Sequence, residues 1–91
     1  MPKTDLVNRL RTDFPQFSLV EGDDFFWSPK KQTVFFRPLK TAEDSMILLH
    51  EMSHAVLSHT EFKQDIDLLK IEREAWQYAN STLSPKYQVD I

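Results

Sequence analysis

Polar and apolar residues follow two different rhythms along the chain. In residues 4–14, Leu6, Val7, Leu10 and Phe14 recur at helical spacing. They predict a first helix, with Thr4 or Asp5 as its cap and Pro15 as its end. Residues 17–37 change texture. Phe17-Ser18-Leu19-Val20, Phe25-Phe26-Trp27 and Thr33-Val34-Phe35-Phe36 are short β-rich runs. Glu21-Gly22-Asp23-Asp24 and Ser28-Pro29-Lys30-Lys31-Gln32 supply turn chemistry between them, and Pro38 closes the last run. The pattern predicts an antiparallel sheet of two to three strands with its aromatic side chains in the core. An edge strand of such a sheet can also pair with an extended peptide.

Helical spacing then returns. Thr41-Ala42-Glu43-Asp44 has the form of a capping box, with two acids at the positive end of the helix dipole. From Met46 to Leu57 the helix is apolar round most of its circumference, which predicts a central, buried element. A third helix is expected over residues 62–83, with Leu68, Ile71, Ala75, Tyr78 and Ala79 as its stripe, Leu69, Trp76 and Leu83 beside it, and Pro85 as its stop. The sum is an α+β fold in one domain, 1–91: a small sheet packed on two to three helices.

Composition narrows the functions this fold can carry. The chain has 91 residues, 41% of them hydrophobic, enough for one core. Net charge is −3, with no basic stripe, so no nucleic-acid partner is expected. No run approaches the roughly 20 apolar residues of a membrane span, and residues 1–10 lack the apolar stretch of a signal peptide. A soluble cytoplasmic protein, monomeric or a small homo-oligomer, is the expectation. There is no cysteine, so a metal site must draw on His, Asp, Glu or water.

Such a site is present as a motif. His50-Glu51-Met52-Ser53-His54 reads H-E-x-x-H. Residues four apart share a helix face, so both imidazoles can reach one zinc ion, one Zn2+ per chain. Glu51 leans to the side of the pair, where it can take a proton from an attacking water without binding the metal. Three polar groups on an otherwise apolar helix would cost stability without such a task. A catalytic zinc usually has a third protein ligand. His59 follows His54 by five residues, about 140° round the helix, and would need a break to turn back. It fits better as an exposed C-terminal histidine. In Glu72-Arg73-Glu74, Glu72 falls on the inward side of the third helix and Glu74 points outward with Lys70, Arg73 and Gln77. Glu72 is therefore the expected third ligand, and a surface ion pair is the bland alternative for it.

These residues resemble a known family. The run from His50 to His59, followed by Glu72-Arg73-Glu74-Ala75-Trp76-Gln77-Tyr78-Ala79, is similar to the ImmA/IrrE family of metallopeptidases. Those proteins pair an H-E-L-x-H-x-x-L helix with a later E-x-x-A-N-x-F-A helix. The resemblance spans residues 25–83 and implies a minimal gluzincin-like zinc core. It puts the third ligand at Glu72, and it implies hydrolysis of a protein or peptide substrate, with a DNA-binding repressor as the family's typical target. Trp76 departs from the pattern, which often has Asn there. Tyr78 replaces another aromatic, and Thr82-Leu83-Ser84-Pro85 is a partial echo of the family's Leu-Leu-Met-Pro ending.

Peptide hydrolysis also needs a group to meet the charge that develops on the carbonyl oxygen. Tyr78, Tyr87 and His59 are the candidates, and the residues alone do not choose among them. The rival to an enzyme is a non-catalytic module of the same fold that regulates a transcription factor. The short chain favours the module, and the retained Glu51 favours the zinc metallopeptidase.

Overall fold

A computed structural model describes residues 3–57 and 65–89. Helix α1 (Lys3–Asp13) buries Leu6, Val7 and Leu10 on one face. It begins at Lys3, so Thr4 and Asp5 lie inside the helix rather than capping it. Phe14 still bonds back to the Leu10 carbonyl at 2.9 Å before Pro15 ends the run.

Three strands follow: β1 (Ser18–Glu21), β2 (Phe26–Ser28) and β3 (Thr33–Phe36). The expected antiparallel sheet is corrected to a mixed one in the order β1-β3-β2. β2 pairs antiparallel with β3, but β1 runs parallel to it, Leu19 opposite Val34. The cause is burial. Thr33, Val34 and Phe36 are buried, so β3 takes the centre, where both its edges are paired. Two reversals separate β1 from β3, one on each side of β2, and they leave those two strands pointing the same way. The Gly22 amide carries the parallel ladder one bond past Glu21 by donating to the Phe36 carbonyl at 2.6 Å. Gln32 closes the second reversal in the left-handed region, φ 49°, with its backbone and side-chain nitrogens both donating to the Pro29 carbonyl.

The aromatics divide between the two faces instead of sharing the core. Phe36 is buried, whereas Phe26 is half in solvent and stacks on Phe35 with ring centres 4.4 Å apart. Val20 opposes Phe35 from the other side, so Val20, Phe35 and Phe26 form a row across the outer face.

Helix α2 (Ala42–Val56) is the centre of the molecule. Its capping box is present. The Asp44 amide donates to Thr41 Oγ1 at 3.1 Å, and Asp44 Oδ2 accepts from the Thr41 and Lys40 amides at 3.1 and 2.9 Å. β2 and β3 cover one side of α2, and helix α3 (Asp65–Tyr78) covers another. Leu48, Leu49 and Met52 are wholly buried between them, each contributing about 1.5–3 kcal/mol by leaving water.

The third helix departs from expectation at its end; residues 62–64 lie outside the described residues. After Tyr78 the backbone widens into a π-helical turn, Ala79–Leu83, and then resumes as α4 (Ser84–Tyr87). Pro85 does not stop the chain; it sits in the first turn of α4, where its missing N–H is tolerated. In a continuous α-helix its ring would meet the Ser81 carbonyl. The wider turn avoids this, with the Ser84 amide reaching Ala79 instead. Asn80 and Ser81 side chains also bond back to the Trp76 and Gln77 carbonyls, at 2.9 and 2.6 Å, which loosens the preceding helical turn. Residues 83–87 are therefore part of the core packing. Leu83 and Tyr87 are buried, and the Tyr87 hydroxyl donates to Asp13 Oδ2 at 2.6 Å, tying α4 to α1. Among the described residues, no helix is long and apolar enough to cross a membrane.

Candidate metal centre

The 3.6-residue repeat of α2 stacks His50 and His54 on one face, one turn apart. Both rings are buried, at 6% and 7% exposure. Their Nε2 atoms lie 3.2 Å from each other, and the rings meet edge to face at 76°. Glu72 comes from α3. Its Oε2 is 2.9 Å from His50 Nε2 and its Oε1 is 3.3 Å from His54 Nε2. Two imidazole nitrogens and a carboxylate thus converge on one point, from two helices. The Glu72 side chain stays 43% exposed, so it closes the group from the rim rather than from inside the core.

This donor set fits a metal. An ion bound tetrahedrally at about 2.0–2.1 Å from N and O donors separates them by about 3.3 Å. The two Nε2 atoms, 3.2 Å apart, are at that spacing, and the two oxygens of the Glu72 carboxylate lie 2.9 and 3.3 Å from one nitrogen each. The ligand atoms of His50, Glu51 and His54 also fall within 4.8 Å of one another, a group that could hold a metal ion.

Comparison of the chain with protein-family models, curated proteins and solved structures gives no match.

Glu51 is half-buried beside the histidines. Burial pushes its carboxyl up to about 7, and the negative charge of Glu72 adds to this. The Trp27 backbone N–H, from β2, donates to Glu51 and opposes the shift, while Asp24 reinforces it. The acids around the imidazoles repel one another, and a cation among them would relieve that repulsion and draw the Glu51 proton off. With its proton drawn off, a carboxylate held by an amide beside the histidines is placed to accept one.

The other sequence candidates separate clearly. Glu74 is half-buried and lines a surface cavity of about 290 Å³ with Leu57, Gln77, Tyr78 and Ser81. Tyr78 is at that cavity and against the core. The Tyr87 hydroxyl is committed to Asp13, and burial and that bond keep it protonated far above neutrality. It is a packing residue, not a group for a carbonyl oxygen. His59 lies outside the described residues. What the sequence reading missed is Trp76, whose ring stacks on His50 with centres 4.1 Å apart and planes at 21°. The available signal was its place four residues after Glu72, on the same face of α3.

Proposed function

We propose that the chain is a zinc-dependent metallopeptidase that hydrolyses a peptide bond of a protein substrate. The observation that carries this reading is the convergence of His50 Nε2, His54 Nε2 and the Glu72 carboxylate on one point, with Glu51 alongside. His50, His54 and Glu72 would hold one zinc ion, which when bound supplies a Lewis acid for the scissile carbonyl and acidifies the attacking water.

The chain's own groups do the rest. Glu51 takes the proton of the attacking water and then gives it to the departing amine nitrogen. The Trp27 amide holds the Glu51 carboxylate toward the site, so the base is fixed by the sheet as well as by its helix. β2 is an edge strand, and an extended peptide added along such an edge would lie next to Glu51. The exposed position of Glu72 leaves the centre open to such a peptide from solvent. The resemblance of the motif-bearing helices to ImmA/IrrE metallopeptidases supports a DNA-binding repressor in the cytoplasm as substrate.

The test is cleavage with a separable metal readout. Zinc-loaded protein is incubated with a mixture of unstructured peptides, and new termini are read by mass spectrometry. Cleavage that vanishes in Glu51→Gln, with zinc still bound, is the expected result. Equal cleavage by Glu51→Gln would overturn the mechanism, and zinc binding with no cleavage by the wild type would assign the fold to a non-catalytic module.

A further inference from the structure

We infer that Trp76 is a positioning residue for the metal centre: its indole, stacked on the His50 imidazole, holds that ring so that Nε2 stays aimed at the point shared with His54 and Glu72. The inference rests on the metal-centre reading above and goes beyond it by adding a residue that touches no metal.

The last torsion of a histidine side chain is broad and roughly two-fold, so its rotamer alone does not set the ring plane. Contacts must set it. His54 meets His50 edge-on at 4.6 Å, which limits the ring on one side. Trp76 lies nearly parallel to it at 4.1 Å, which covers a face. Together with the Glu72 carboxylate 2.9 Å from Nε2, the two ring contacts leave little freedom to rotate.

Stacking does not compete with coordination. The Nε2 lone pair lies in the ring plane, and the indole occupies the perpendicular direction. Coordination also draws electron density from the imidazole, and an electron-rich indole face favours a ring that has become more positive. Trp76 therefore stabilises the metal-bound centre more than the empty one.

Burial alone does not account for the residue. Trp76 remains 38% exposed, although it is among the largest apolar side chains on the surface. Glu72 and Trp76 are one turn apart on α3, so docking this helix on α2 delivers the carboxylate and the indole together. Losing a group that orients a metal ligand typically weakens metal affinity about 10–100-fold.

Zinc affinity is measured by competition with a chromophoric chelator, for the wild type, Trp76→Ala and Trp76→Phe. Weakening of about tenfold or more in Trp76→Ala, largely restored in Trp76→Phe, is expected. A second readout uses Trp27→Phe, which leaves Trp76 as the sole tryptophan; its emission should be quenched by stoichiometric cobalt. Wild-type affinity in Trp76→Ala, or Trp76→Phe as weak as Trp76→Ala, would overturn the inference. If Trp76→Ala fails to fold, emission in Trp27→Phe that ignores bound cobalt overturns it instead. A wild-type chain that binds neither zinc nor cobalt is a different outcome, because it removes the metal centre itself and this inference with it.

Discussion

Helices α2 and α3 both carry the candidate centre, but they carry it in different ways. α2 is capped by Thr41 and Asp44, buried against the sheet on one side and against α3 on another, and holds two donors one turn apart. α3 keeps Leu69 and Trp76 partly or largely in solvent, contributes one rim carboxylate, and gives way to a π turn. The histidine pair is thus fixed by local helix geometry, whereas the third donor arrives by tertiary packing. One half of the centre depends on secondary structure, and the other depends on the docking of two helices.

The sharpest way to break this contrast is to remove equal side chains from the two helices. Leu49→Ala on α2 empties a fully buried position and should lower stability by about 2–5 kcal/mol in denaturant unfolding. Leu69→Ala on α3, 66% exposed, should stay within about 0.5 kcal/mol of wild type by the same measurement. Comparable losses at both positions would mean that α3 is as deeply packed as α2. Between these extremes lies the cap. Thr41→Ala removes the bond to the Asp44 amide and should cost about 0.5–2 kcal/mol.

A smaller effect sharpens the electrostatic side of the cap. The Asp44 carboxyl is held below its ordinary value of 3.8, first by the Lys40 amide, with the Thr41 amide and hydroxyl and the Arg37 guanidinium helping against burial. Because the folded state binds this proton less readily than the unfolded chain, the stabilisation is complete above the ordinary value. It is lost as pH falls through the depressed one. Thermal melts of wild type and Asp44→Asn should differ near neutrality and converge in strong acid. A gap that stays constant down to strong acid would remove the charge from the account.

Much of this was legible in the chain because the signals were local. H-E-x-x-H fixes a spacing that any α-helix turns into a shared face, and Thr41 with Asp44 encodes its own cap. The pairing of Glu72 with both histidines followed from the same face argument applied to a second helix. What escaped prediction depended on distant competition. The parallel β1–β3 pairing arises because the most apolar strand takes the centre of the sheet, a ranking that alternation within each run does not reveal. Pro85 reads as a stop signal, yet a π turn upstream turns it into the start of α4. The stacking of Trp76 on His50, and the bond from Tyr87 to Asp13, join residues 26 and 74 positions apart; the four-residue step from Glu72 to Trp76 hints at the first, and no spacing rule reaches the second.

The central claim is that His50, His54 and Glu72 form one metal site, and metal content tests it most directly. Protein purified without chelator and supplied with zinc should hold about one ion per chain by elemental analysis. His54→Ala should lose it, and Glu72→Ala should retain it only weakly, because the two histidines remain. A wild-type chain that binds no zinc, or zinc held equally well by Glu72→Ala, would contradict the account.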